Sequence, residues 1–309
     1  MRFNHPDDII ALTPEWKGER FPDGRPKVPD HYLDAIRNMT LEELWKPIFL
    51  KGYENQFLAM KSLHPEFKEN GELNCKLIGR AVTAAYGPKR PDYYEASMAQ
   101  ARLEGRSGTP NQWVIDTLVD RDVIVIDMYD KIYKGTFVGG NLTTAIKTRT
   151  HTGGAVIWGG IRDIEQMQKI DTQVYYRGVD PTALRDFSMI SFNGPVVMGQ
   201  GEHAAMCLPG DIVYGCSGGV LFIPPQLVVE VVENGAKTQI KDVFGFEMIT
   251  ADSWTSAQVD MYTWTVEMLD ELQAFIQTDP CGADYRDLDW SREYDMAVHG
   301  DPSNTQAAL

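Results

Sequence analysis

The chain has 309 residues, with 44 acidic side chains against 29 lysines and arginines and a formal net charge of −15 at pH 7. This length allows one large domain or two modest ones, and the ordinary hydrophobic content allows a sizeable core. The negative charge disfavours nonspecific nucleic-acid binding, because that affinity depends on basic side chains that neutralise phosphates.

The cysteines indicate a reducing environment. Cys75, Cys207, Cys216 and Cys281 are widely spaced and form no CxxC motif, which disfavours a zinc site or a disulfide framework. No apolar run is long enough to span a membrane, and the beginning of the chain lacks the apolar segment of a secretory signal. We therefore expect a soluble, cytoplasmic protein whose partners include neither a membrane nor a nucleic acid.

Residues 1–74 are rich in proline and charge, and "FPDGRPKVPDHY" predicts an extended arm. Two short helices should follow the arm. The second begins after Thr40, a plausible N-cap, with Glu43 at the capping-box position.

Residues 75–236 alternate between strand and helix patterns, which indicates an α/β domain. The predicted strands are "KLIGRAVTAAY", "DVIVIDMY", "GAVIWGG", "PVVMG", "DIVYG" and "GVLFIP". The predicted helices are "DYYEASMAQARLEG", 142–149, "IEQMQKI" and "PQLVVEVVENGAK", the last ending near Gly235. Residues 237–309 have helical character followed by a polar tail.

The stretch "GGNLTTAIKTRTHTGGAVIWGGIRD" (139–163) combines two features that suit an anionic ligand. Asn141 is a candidate N-cap, and the glycines before it let a ligand approach the backbone closely. Free N–H groups of Leu142, Thr143 and Thr144 would then form a cradle for a carboxylate or phosphate. Many helices begin in this way and bind nothing.

Arg162 and Asp163 end the same stretch, one strand later. Ligands of α/β sheets usually bind outside the carboxyl ends of the strands, so this pair could face the cradle. Arg162 would hold a substrate carboxylate through its fork, and Asp163 would hold Mg²⁺ or Mn²⁺. Spacing alone favours a plainer alternative, in which Asp163 caps the next helix at Glu165 and Gln166.

The stretch as a whole resembles the RraA-like family, which includes a regulator of ribonuclease E activity and class II pyruvate aldolases. The matching residues are Gly140, Gly160, Arg162 and Asp163. The supporting motifs are "IGRAVT", "RDVIVID" and "PGDIVYGCSGGVLFIPP".

The resemblance implies a layered α/β/β/α core, like that of swivelling phosphohistidine domains, with mainly helical extensions at both ends. It places the core at 75–236, an N-terminal extension at 1–74 and a C-terminal extension at 237–309. It also implies a homo-oligomer, either a trimer or a hexamer, with sites at subunit interfaces.

The resemblance further implies the chemistry of the site. Arg162 corresponds to the arginine that binds the pyruvyl carboxylate and offsets the enolate charge, and Asp163 to the direct ligand of Mg²⁺ or Mn²⁺. Gly140 and the backbone amides of Leu142 and Thr143 correspond to the substrate-binding loop. Asn141 takes the place of an acidic residue that orients a metal-bound water in the aldolases, and an amide cannot act as a base.

The source of a catalytic acid or base stays open. The aldolases recruit a glutamate from a neighbouring subunit, for which Glu230 and Glu233 are the nearest candidates, and His151 is a third possibility. Arg106 and Asn111-Gln112 come from a loop that could form another wall of the pocket.

The leading hypothesis is a divalent-metal-dependent lyase acting on a small 2-oxo acid. It would cleave a 4-hydroxy-2-oxo acid by a retro-aldol step, or decarboxylate oxaloacetate, through a pyruvate enolate. One alternative is a non-enzymatic regulator that binds a protein partner, and another is a metal-dependent dehydratase or isomerase of a sugar-acid derivative.

Overall fold

The computed structural model describes residues 5–65 and 76–300, and the chain divides into two compact units after Val229. Cys75 lies outside the described residues, and the other cysteines are free. No helix in the described ranges is both long and apolar enough to cross a membrane. The predicted domain boundaries at 74/75 and 236/237 stay a prediction.

The first unit begins with three helices and two short strands, which are α1 (Pro6–Leu12), α2 (Asp30–Arg37), α3 (Leu41–Leu50), β1 (Phe57–Leu58) and β2 (Lys61–Ser62). The elements that follow are β3 (Leu77–Pro88), α4 (Pro91–Leu103), α5 (Pro110–Ile115), β4 (Asp122–Asp127), β5 (Thr136–Val138), α6 (Gly140–Thr150), β6 (Gly154–Ile161) and α7 (Ile164–Met167). The remaining strands are β7 (Val174–Val179), β8 (Phe187–Phe192), β9 (Val196–Met198), β10 (Ala205–Cys207), β11 (Ile212–Cys216) and β12 (Gly219–Ile223).

Most of these strands form one mixed sheet in the order β1-β12-β11-β3-β4-β6-β7-β2, with β5 paired to β6 and β8 to β3. The central pairs β3–β4, β4–β6 and β6–β7 are parallel, and β5 also runs parallel to β6. The carboxyl ends of these strands therefore lie along one edge of the sheet.

The sheet is buried on both faces, as the continuous apolar run of β4 predicts. Successive side chains of a strand point to opposite faces. Ile124 and Ile126 pack in a core with residues of α4, α5 and α6, while Val123 and Val125 pack in a core with residues of β9 and β10. The predicted α/β class is confirmed.

The second unit, Glu230–Leu309, contains helices and no strand among its described residues. Its helices are α8 (Val228–Thr250), which begins just before the division, α9 (Ser256–Val259), α10 (Val266–Thr278) and α11 (Ser291–His299). It has an apolar core of its own, which includes Phe244, Trp254, Trp264 and Leu272. The prediction that the C-terminal region is mainly helical is confirmed.

Several predicted elements need correction. The helix expected to end near Gly235 continues to Thr250, because a glycine inside a helix costs only about 1 kcal/mol and other contacts can offset it. The sequence patterns do not predict the short strands β1, β2, β5 and β10, nor the longer strands β7 and β8. The Thr40–Glu43 capping box is confirmed, with both of its hydrogen bonds present.

A buried ion pair ties the N-terminal arm to the central sheet. The Arg25 guanidinium donates to both carboxylate oxygens of Asp122, at 2.8 and 3.1 Å, where β4 begins. Its Nε also donates to Asp23 at 2.7 Å. The side chains of Arg25 and Asp122 are 2% and 0% exposed, so each is the compensating charge for the other.

We expect Arg25→Ala to lower the free energy of unfolding of the first unit by about 3–5 kcal/mol, because it leaves the buried Asp122 carboxyl group without its counter-charge. Arg90→Ala is the matched control, since its pair with Asp92 is exposed and should contribute less than about 1 kcal/mol. Hydrogen exchange of the β4 amides in urea measures the free energy of unfolding of the first unit alone. Equal effects of the two variants would contradict the assignment.

A second buried carboxyl group lies in the tight turn before β11. Asp211 is 3% exposed and accepts a hydrogen bond from the Leu208 N–H at 2.7 Å. Burial raises the pKa of Asp211 to about 7, from an ordinary value of 3.8. The folded chain therefore binds a proton here over a pH range in which the unfolded chain has lost it.

This raised pKa predicts that Asp211 lowers stability as the pH rises from about 4 to about 7, by at most about 1.4 kcal/mol per pH unit. Asp211→Asn keeps an oxygen that can accept the hydrogen bond from the Leu208 N–H, but its side chain cannot ionise. Urea denaturation at a series of pH values should therefore show a less negative slope for the variant. Identical slopes for the two proteins would show that the group does not titrate in this range.

Candidate active site

The site forms where two neighbouring parallel strands end. Val138 of β5 lies beside Ile161 of β6, and the Arg162 N–H donates to the Val138 carbonyl at 3.1 Å. The chain passes directly from β5 into α6, and from β6 into Arg162 and Asp163. The two ends of the stretch 139–163 thus meet at the carboxyl edge of the sheet, the place that the rule for α/β sheets predicts.

Asp163 joins these two ends. Its Oδ2 accepts a hydrogen bond from the Gly140 N–H at 3.3 Å and lies 3.7 Å from the Arg162 Nε. The side chains of Arg162 and Asp163 are 40% and 38% exposed, so both can reach a ligand. Asp163 has a left-handed backbone, φ 58°, and its side chain makes no capping bond to α7, which contradicts the helix-cap alternative.

The absence of a side chain at Gly139 makes this arrangement possible. A Cβ atom there would lie 2.3 Å from the Asp163 Oδ2 and 3.1 Å from the Arg162 Cγ. At Gly140 a Cβ would meet the Gln166 Oε1 at 2.6 Å, which is the end of a longer and more flexible side chain. Gly139 therefore allows the close approach of the carboxylate.

The start of α6 differs from the prediction by two residues. Gly139, not Asn141, is the N-cap, and the Thr143 N–H donates to the Gly139 carbonyl at 3.0 Å. The expectation that the Thr143 amide binds substrate is therefore wrong, and Thr144 lies one residue deeper in the helix. The Asn141 and Leu142 N–H groups are among the first of the helix, which lack an acceptor one turn back.

These elements border a cavity of about 360 Å³, a size typical of small-molecule sites. Its walls include Thr109, Asn111, Gln112, Thr136, Phe137, Val138, Gly139, Asn141, Leu142, Arg162, Asp163, Gln166, Ala183, Leu184 and Phe187.

Thr109 and the first turn of α5 form part of the wall, a possibility that the sequence left open. Asn111 is buried and donates to the Phe137 carbonyl at 3.0 Å, which ties α5 to β5. Gln112 lines the cavity, whereas Arg106 is not among its lining residues and pairs with Glu104 instead.

His151 lies away from this cavity. It follows the last turn of α6, and an 11-residue helix separates it from Gly139 by roughly 15 Å. Its Nδ1 lies 2.8 Å from Asp120, and it borders a different cavity of about 530 Å³. Within one chain, the structure does not bring His151 to Arg162 and Asp163.

The other candidate acids lie on α8. Glu230 and Glu233 belong to the first turns of that helix, at the start of the second unit. Their role in the site of a neighbouring subunit stays a prediction.

The single carboxylate of Asp163 suits Mg²⁺, which keeps water ligands, better than a metal ion whose ligands all come from protein side chains. Among the described residues, no cluster of three or more histidine, cysteine, aspartate or glutamate side chains could hold a metal ion. Mg²⁺ usually keeps several waters and takes one or two protein carboxylates. Asp163, a single partly exposed carboxylate on the cavity wall, fits that pattern.

Comparison with proteins of known sequence supports a family assignment but does not establish a function. The chain is 25% identical over 209 residues to protein DlpA of Legionella pneumophila, covering 65% of this chain and 29% of that protein. It is 26% identical over 121 residues to a Halalkalibacterium halodurans protein that carries the name 4-hydroxy-4-methyl-2-oxoglutarate aldolase, covering 39% and 55%. The chain thus spans well under two thirds of each relative.

Solved structures share the fold. A protein of Pseudomonas syringae pv. tomato superposes with a TM-score of 0.58 at 19% identity, covering 78% of this chain and 98% of that one. RraAS2 of Streptomyces coelicolor, described as an unusual member of the RNase ES inhibitor RraA family, gives 0.55 at 19% identity and covers 72% and 97%. The family model described as RraA-like, Aldolase/RraA, matches residues 35–222, which is more than half of the chain. The chain belongs to the RraA-like family.

Proposed function

We propose that the protein is a divalent-metal-dependent lyase acting on a small 2-oxo acid. The observation that carries the proposal is the meeting of Arg162 and Asp163 with the start of α6, through the Asp163–Gly140 hydrogen bond. The family includes aldolases, and one relative carries an aldolase name. The reaction is retro-aldol cleavage of a 4-hydroxy-2-oxo acid or decarboxylation of oxaloacetate.

Arg162 binds the carboxylate of the substrate through two parallel N–H donors and offsets negative charge as it grows on the neighbouring oxygen. Asp163 would hold Mg²⁺ or Mn²⁺, and the bound ion would act as a Lewis acid on the 2-oxo acid. The hydrogen bond from Gly140 fixes one oxygen of this carboxylate, so the ligand geometry is set before substrate arrives.

Asn141 limits what this chain can do with protons. Its amide can donate to or accept from a hydroxyl or a water, but it cannot take up a proton at neutral pH. A base therefore has to come from water or from another group, and Glu230 or Glu233 of a second copy in a trimer or hexamer would serve. Decarboxylation needs no base to start, so Asn141 is less of an obstacle to that reaction.

The neutral residue at 141 also favours a second candidate function, a regulator that binds a protein partner without catalysis. The same metal and anion pocket would then be a remnant or a binding site only. Turnover of any 2-oxo acid at this site would decide between the two functions.

We expect Asp163→Ala to lower kcat/KM at least about 100-fold, because the carboxylate that holds the cation is lost. Glu165→Ala, which removes an exposed acid two residues away, should change it less than about threefold. Pyruvate release from oxaloacetate and from 4-hydroxy-2-oxo acids, with Mg²⁺ and corrected for the spontaneous reaction, measures the effect. If wild type and Asp163→Ala are equally inactive on every acid, the lyase proposal fails.

We expect Gly139→Ala to weaken Mn²⁺ binding at least about tenfold, because its Cβ would displace the Asp163 carboxylate. In Gly140→Ala the new Cβ meets the movable end of Gln166, so binding should stay within about threefold of wild type. Electron paramagnetic resonance of free Mn²⁺ measures both affinities without any need for turnover. Equal losses in the two variants would show that Asp163 is not the metal ligand.

A further inference from the structure

The charges around the cavity are few. Among the lining residues in the described part of the chain, Arg162 is the one cation and Asp163 the one anion. On the proposed function, both groups act on the end of the substrate that carries the 2-oxo acid. This chain contributes no second basic side chain to the remaining wall among its described residues, so a second substrate carboxylate would lose water without gaining a counter-charge from it.

The polar side chains on that remaining wall are neutral: they are amides and the hydroxyl groups of Thr109 and Thr136. The Gln112 Oε1 accepts from the Thr109 N–H at 2.8 Å, while its Nε2 has no partner among the described residues. Asn141 and Gln166 line the same cavity, and their side-chain amides make no hydrogen bond within the described ranges. An amide both donates and accepts, which matches a hydroxyl group better than a carboxylate, which only accepts.

The rest of the wall is apolar. Leu142, Leu184 and Phe187 border the cavity, together with Ala183. A carbon chain can pack on these side chains while its hydroxyl groups face the amides. A wall of amides and apolar groups thus suits a neutral, hydroxylated chain.

We infer that the site selects 2-oxo monocarboxylates with a neutral, hydroxylated distal chain over 2-oxo dicarboxylates. This inference rests on the proposed function and narrows its substrate. The aldolase name of the Halalkalibacterium halodurans relative specifies a dicarboxylate, so the inferred selectivity sets this chain apart from the substrate in that name.

The corresponding reaction is a balanced retro-aldol step. The C3–C4 bond of a 4-hydroxy-2-oxo acid breaks, and its electron pair forms the enolate of pyruvate. The proton of the C4 hydroxyl leaves to water, and the C4 fragment departs as a neutral hydroxyaldehyde. Protonation of the enolate at C3 then completes pyruvate.

Binding of matched ligands tests the selectivity without turnover. Isothermal titration calorimetry with Mg²⁺ compares pyruvate, 2-oxoglutarate and the 5-methyl ester of 2-oxoglutarate, which differ in the charge of the distal end. We expect the ester to bind at least about tenfold more tightly than 2-oxoglutarate. The ratio of kcat/KM for 2-keto-3-deoxygluconate and 4-hydroxy-2-oxoglutarate should favour the former.

A charge added to the wall should reverse the preference. Gln166→Lys supplies the missing cation and should increase the affinity for 2-oxoglutarate at least about tenfold relative to the affinity for the ester. Gln168→Lys is the matched control, because Gln168 is exposed and lines the other cavity, and it should leave the ratio unchanged.

The outcomes separate the inference from the proposal on which it rests. If pyruvate binds but 2-oxoglutarate binds as tightly as its ester, the selectivity is wrong and the lyase proposal stands. If Gln166→Lys and Gln168→Lys shift the ratio equally, the wall at Gln166 does not contact the distal chain and the inference is overturned. If no 2-oxo acid binds, both are overturned.

Discussion

Parallel pairing of β5 with β6 is the constraint on which the candidate site depends. β5 has only three residues, yet its alignment beside Ile161 places the start of α6 next to Arg162 and Asp163. The missing side chain at Gly139 then lets the Asp163 carboxylate approach the first N–H of the helix. A shift of this pairing by one residue would separate the two halves of the candidate site, so the geometry of the site depends on a short strand.

Two pairs of arginine and aspartate lie at opposite ends of neighbouring strands and differ in burial. At the amino end of β4, Arg25 and Asp122 form a buried pair that holds the N-terminal arm against the central strands. At the carboxyl end of the neighbouring β6, Arg162 and Asp163 are partly exposed and weakly paired, at 3.7 Å. The same two residue types thus form a buried structural contact in one place and a partly exposed pair of the candidate site in the other.

Much of the core could be predicted from sequence, because its signals are local. The apolar runs of β4 and β6 indicate buried strands, and the position of Arg162 and Asp163 after β6 follows from the rule for strand ends. β5 escaped prediction because three residues show no periodicity. The residue type of Asn141 favours it as the N-cap, but Gly139 already has the extended backbone that a cap requires, φ −142°. That choice depends on the pairing of β5, which no local pattern reveals.

The solitary cation of the cavity has a consequence for the kinetics of association. A chain of net charge −15 repels a 2-oxo acid at long range, while the attraction of Arg162 acts only at short range. Dissolved salt screens the long-range field much more than the contact, since the Debye length is about 8 Å at physiological ionic strength. An anionic ligand should therefore reach this site faster as salt is added, the reverse of the behaviour of proteins whose field attracts their ligand.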